Sequence, residues 1–88
     1  MAILVDPAIW PWRGYVWAHL VSDESYDELH DFAARLGIPR RAFQGDHYDV
    51  PSHLRDEAIA LGAKAVDSRE LVRRLRAAGL RRRRPRPS

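Results

Sequence analysis

Eighty-eight residues without one cysteine make a single small domain that neither a disulfide nor a thiolate metal site can staple. Five of the fifteen basic residues (Arg81, Arg82, Arg83, Arg84, Arg86) fall in the last eight positions, so residues 1–80 set ten basic against twelve acidic side chains, a net −2. A mildly acidic body argues against a phosphate-tracking face and confines nucleic-acid binding to the tail; no apolar run reaches the ~18–20 residues of a membrane-spanning helix.

Ala2-Ile3-Leu4-Val5 is short and apolar, ends at Asp6-Pro7, and reads as a buried strand. It has no basic leader, so it does not read as a signal peptide, and a cytoplasmic location is the expectation. Residues 6–14, with prolines at 7 and 11, read as a loop carrying Trp10-Pro11-Trp12-Arg13-Gly14. Tyr15 to Val21 is the strongest strand signal, rich in aromatic and β-branched residues. Both of its alternating sets are largely apolar, which predicts cover on both faces.

Ser25-Tyr26-Asp27-Glu28 has the form of a capping box, and Leu29, Phe32, Ala33 and Leu36 follow at helical spacing. Gly37 and Pro39 stop that helix. Arg41 to Gln44 reads as a short strand ended by Gly45. Pro51 suits the first turn of a second helix, with Ser52 as an alternative cap and Leu54, Ala58 and Leu61 inward. Ala63 to Val66 reads as a weak strand. Asp67-Ser68-Arg69-Glu70 then opens a third helix that Gly79 stops. The expected architecture is one α/β domain over 1–80, in the order ββαβαβα. It has three helices around a short, mostly parallel sheet of about four strands. The Arg/Pro-rich residues 81–88 are expected to be a disordered tail.

In an open α/β sheet, ligands bind beyond the carboxyl ends of the strands. That rule gathers His19, Ser22 and Asp23 with Gln44, Asp46, His47, Tyr48 and Asp49 at one sheet edge, and adds Asp67 and Ser68. His19, His47 and Asp49 are the candidate catalytic groups, as acid, base or ligand. Asp23, Gln44 and Tyr48 are candidate ligand contacts, and Arg13, Arg40 and Arg55 candidate anion clamps. Asp23 serves equally well as a helix cap. His30 and His53 read as solvated helix positions, and Trp10 and Trp12 as cover for a core edge. A zinc site from His19, His47 and an aspartate is chemically allowed, but no ligand pair has a metal-motif spacing. Metal and cofactor are therefore left open.

Trp10-Pro11-Trp12-Arg13-Gly14, His19, Asp27-Glu28-Leu29-His30, Leu36-Gly37, Phe43-Gln44, His47-Tyr48-Asp49-Val50, Leu61-Gly62-Ala63 and Ser68-Arg69-Glu70-Leu71 stand in this order. With them the chain resembles the bacterial family catalogued as domain of unknown function 4031, over about residues 2–78. The resemblance carries no activity with it. The residues themselves leave three readings: a site that binds, or binds and hydrolyses, a small anionic or phosphorylated ligand; nucleic-acid binding through the tail; or an interaction module presenting its tryptophans to a partner.

Overall fold

The structure, a computed structural model, describes residues 2–81. Its elements are β1 (Ile3–Val5), β2 (Trp10–Trp12), β3 (Tyr15–Ser22), α1 (Tyr26–Arg35), β4 (Tyr48–Pro51), α2 (Ser52–Ala60), β5 (Lys64–Ala65) and α3 (Ser68–Ala77). All five strands join one sheet built around β3. The α/β class and the three helices agree with the sequence reading.

The mostly parallel sheet does not. Only β1 and β5 run parallel, while β3 pairs antiparallel with β1, β2 and β4. The reason lies in the connections. Arg13-Gly14 closes a two-residue hairpin between β2 and β3, and both residues sit at positive φ (48° and 79°), as the matching turn requires. The stretch read as a loop thus contains an edge strand. Pro11 is tolerated there because an edge strand has one side without ladder partners.

A second correction concerns residues 41–44. Arg40–Ala42 form a 3₁₀ turn, and the strand of this region is Tyr48–Pro51. Ser52 is the first residue of α2 rather than its cap; Pro51 holds that position without a side-chain bond.

β1 and β2 act as two halves of one interrupted strand. β4 pairs with residues 17–20 of β3, so both halves must lie along the opposite edge of β3. Between the pairs Val5–Leu20 and Trp10–Trp17, the outer chain spends residues 6–9 where β3 spends only 18 and 19. Bulges of this kind bend a strand and re-aim its side chains.

Alternation along the strands builds two cores. Ile3, Val5, Ala18, Leu20, Tyr48 and Val50 pack on one face against Leu29, Phe32 and Ala33 of α1 and Ala58 of α2. Leu4 and Val21 pack on the other against Leu71 and Leu75 of α3. His19 falls on the α3 face by its spacing from Val21. So do Tyr15 and Trp17, their cross-strand partners Trp10 and Trp12, and Asp49 opposite His19. α3 packs over Leu4 and Val21 at one end of this face, and Trp12 and Tyr15 at the other end remain about half exposed. Of the tail, Arg81 is described; the expectation of disorder over the rest of 81–88 falls outside the described residues.

Candidate functional site

Asp6 sits in the bulge and substitutes for the missing ladder. Its Oδ1 accepts from the His19 backbone N–H at 2.6 Å, and its own N–H donates to the His19 carbonyl at 3.3 Å. Its Oδ2 lies 2.9 Å from His19 Nδ1 and accepts from Ser68 Oγ at 2.9 Å, tying the start of α3 to the bulge. Arg55 Nε donates to the Asp6 carbonyl at 2.8 Å. Asp6 is almost wholly buried, at 2% exposure, and a carboxylate tolerates that because both of its oxygens have hydrogen-bond partners.

In the sequence Asp6 is a plain strand-ending Asp-Pro and carries no signal of this role. Only the bulge, a product of tertiary pairing, gives this aspartate its role.

The second imidazole is held in the same way. His47 Nδ1 lies 2.6 Å from Asp46 Oδ1, and Asp46 Oδ2 accepts from Arg81 Nε at 2.8 Å. The ring centroids of His19 and His47 are 5.1 Å apart and meet edge-on at 68°. The two histidines meet because antiparallel β4 sets Asp49 opposite His19, not because parallel strands end together. The site accordingly lies on a sheet face rather than at a strand-end edge.

With both Nδ1 atoms engaged by carboxylates, the opposite edge of each ring is the edge that could meet a ligand. His47 Nε2 is 3.1 Å from Asp49 Oδ1. That oxygen is buried, and its geometry gives it no hydrogen bond among the described residues. One ligand atom each from His19, His47 and Asp49 lies within 4.8 Å of the others. Around a tetrahedral ion with bonds of about 2.1 Å, donors would stand about 3.4 Å apart. The His47–Asp49 pair is already there, and His19 has a short distance to close.

The hydrogen bond that the His19 ring gives to Asp6 raises the ring's pKa above 6.5, with burial opposing it. Burial pushes the Asp6 carboxyl up, but the bonds from the His19 side chain and backbone and from Ser68 outweigh it and leave it below 3.8. Asp46 is likewise pushed up by burial and brought below 3.8 by Arg81 and His47. The stabilising share of His19 is complete below its unfolded value near 6.5 and disappears as pH rises through the raised folded value. Asp6 contributes fully above 3.8 and loses its share as pH falls through the lowered value. The metal-free melting temperature should therefore decline above about pH 6.5 and again under acid, read by calorimetry from pH 3 to 9. A flat midpoint from pH 6 to 9 would contradict a stabilising His19–Asp6 pair.

The other candidates divide. Gln44 lines a cleft of about 280 Å³ together with Trp10, Trp12 and Asp49, directly beside the histidines. Tyr48 is fully buried, with its hydroxyl 2.7 Å from His30 Nδ1, so it braces α1 against the sheet. Burial raises its pKa. His30, read as solvated, is this structural partner. Asp23 accepts from the Ala2 N–H at 2.7 Å and lies 3.6 Å from Arg74, tying β1 to the far end of β3. Arg13 covers the Trp12 ring at 4.7 Å, Arg40 is exposed in the 3₁₀ turn, and Arg55 is committed to the Asp6 backbone. Asp67 caps α3 through the Glu70 N–H. Arg81, set aside with the tail, reaches the site through Asp46.

Compared with known proteins, residues 3–78 match the family model described as "Protein of unknown function (DUF4031)". No curated protein and no solved structure matches the chain.

Proposed function

Taking as premise that this chain belongs to the DUF4031 family, we propose that His19, His47 and Asp49 hold a divalent transition-metal ion, and that the ion receives a small anionic ligand. The observation that carries this reading is the pairing of each imidazole Nδ1 with a carboxylate. It leaves His47 Nε2 3.1 Å from a buried aspartate oxygen that lacks a hydrogen bond, with one ligand atom from each of the three residues within 4.8 Å of the others. Carboxylate–histidine pairs of this form fix the tautomer and raise the basicity of metal-ligating imidazoles.

Electrostatics favours the cation first. Asp6, Asp46 and Asp49 surround the two rings, and the nearest guanidinium groups are engaged at Asp46 and at the Asp6 backbone. A free anion entering alone would meet three carboxylates. An anion bound to a metal ion would not, because the ion's charge dominates so small a site.

Two histidines and one carboxylate leave open coordination positions, the arrangement of catalytic rather than structural metal sites. A phosphate or carboxylate oxygen can take one of them. Hydrolysis would suit such a site: water adds across an ester or anhydride bond, its hydroxide going to the carbon or phosphorus centre and its proton to the leaving oxygen, with the ion polarising the bond. Neither the cation nor the anion needs Arg82, Arg83, Arg84 or Arg86.

Isothermal titration of the full chain with zinc or manganese at pH 7.5 tests the reading. One ion should bind per chain, with NMR shifts centred on His19, His47 and Asp49. Shifts scattered over surface carboxylates, or no saturable binding, would refute it.

A further inference from the structure

Beside the three ligand residues, the cleft of Trp10, Trp12, Gln44 and Asp49 plays no part in holding a metal except through Asp49. We infer that this cleft receives a planar heteroaromatic ring, so that the ligand is a heteroaromatic anion whose charged group reaches Asp49's metal ion. The inference rests on the metal reading for the anionic half of the ligand and stands independently for the ring.

Three observations point to a ring. The cleft's volume, about 280 Å³, lies just under the range for drug-sized ligands and suits a single ring system. Its walls are largely indole. Trp12 is 52% exposed, and both Trp10 and Trp12 stand against Trp17, at centroid distances of 6.3 and 5.6 Å. Trp17 in turn donates its indole N–H to the Trp12 carbonyl at 2.8 Å, which fixes the platform.

The third observation selects a heterocycle over a plain hydrocarbon ring. The Trp10 indole N–H is buried and has no acceptor among the described residues. A buried donor without a partner is costly, and an acceptor atom on a ring would relieve it once the Trp10 indole turns to meet it. Gln44 adds an amide that can both donate and accept. Cross-strand packing explains why Trp10 meets Trp17. It does not explain a half-exposed Trp12 or an orphaned Trp10 N–H.

Asp49 joins the two halves, since it lines the cleft and belongs to the metal-ligand cluster. A ring laid against Trp12, whose ring Arg13 also touches, with a carboxylate or phosphate attached would span both.

All three tryptophans lie at this cleft or against it, so intrinsic fluorescence of the full chain reports directly on occupancy. Nicotinate should bind the zinc-loaded protein at least about tenfold more tightly than cyclohexanecarboxylate, which has the same charge and no flat ring, in line with the usual worth of base–aromatic stacking. Uncharged nicotinamide should bind alike with and without zinc. Trp12→Ala and Gln44→Ala, checked for native circular dichroism, should each reduce the nicotinate preference, Trp12→Ala to near unity. Equal binding of the two acids, or a preference that survives Trp12→Ala, overturns the inference. So does a fluorescence change that tracks protein concentration instead of probe, which would assign the tryptophans to self-association. Ring preference without zinc binding would remove the metal reading and leave the cleft standing. Zinc binding without ring preference would do the reverse.

Discussion

Asp6→Ala is expected to lower the melting temperature by about 15–30 °C. One carboxylate there accepts the His19 backbone N–H and the Ser68 hydroxyl and pairs with the His19 ring. Truncation leaves those groups facing a hole in the sheet, and breaking a buried, charge-assisted network in this way costs about 3–5 kcal/mol. A domain of this length holds only about 4–13 kcal/mol in total, at roughly 0.05–0.15 kcal/mol per residue. Each kcal/mol is worth about 4–8 °C in a chain this small. Asp6→Asn should cost much less, because an amide oxygen can still accept from the His19 N–H. If Asp6→Ala melts within about 3 °C of the parent, the bulge is held by backbone alone, and the bonds to His19 and Ser68 carry little of it.

The ease with which parts of this fold could be read follows the range of the forces that make them. α1 and α3 were legible because their caps are local. Ser25 Oγ accepts from the Glu28 N–H and Asp67 from the Glu70 N–H, three residues on in each case. Even there the box is half closed, since the Glu28 carboxylate takes the Ser22 hydroxyl, not the Ser25 N–H. β3 was legible because of its aromatic and β-branched content, but cover on both faces holds only toward its Ser22 end, since Tyr15 and Val16 are exposed. Strand direction was not legible, because it depends on the Arg13-Gly14 turn and on where β4 docks. Residues 41–44 lost their strand to Tyr48–Pro51 for a similar reason: Tyr48 and Val50 bury themselves opposite Leu20 and Ala18, which local propensity cannot anticipate.

The site shows the same division. His19, His47 and Asp49 stood out by chemical type, and the structure places them together. Their carboxylate partners differ. Asp46 is the sequence neighbour of His47, whereas Asp6 reaches His19 only across the bulge. The arginines chosen as anion clamps were chosen by charge alone. Two of them are occupied by the fold itself, Arg13 on the Trp12 ring and Arg55 on the Asp6 carbonyl. Trp10 and Trp12 looked like cover for a core, and half-exposure of Trp12 emerges only once α3 is seen to stop short of it.

Asp49→Asn should act in opposite directions on metal affinity and on metal-free stability. The carboxylate supplies one of three proposed ligands, and its loss should weaken zinc binding by about 100-fold or more, at the upper end of what even supporting residues of metal sites are worth. In the metal-free chain the charge has the edge of His47 at 3.1 Å to set against its burial. Asp49 Oδ1 is buried without a hydrogen bond, beside a site that already holds Asp6 and Asp46. Removing that charge should leave stability at pH 8 unchanged or raise it by up to about 1 kcal/mol. Asp46→Asn separates support from ligation: it should weaken zinc by about 10–100-fold, because it only orients His47. Chemical denaturation without metal and calorimetric zinc titration of the same variants measure both quantities. A stability loss of about 2 kcal/mol or more in the Asp49→Asn variant, with zinc affinity untouched, would make Asp49 a structural partner of His47. The orphaned oxygen would then be part of a fold-stabilising pair, and the three residues would lose their standing as a metal site.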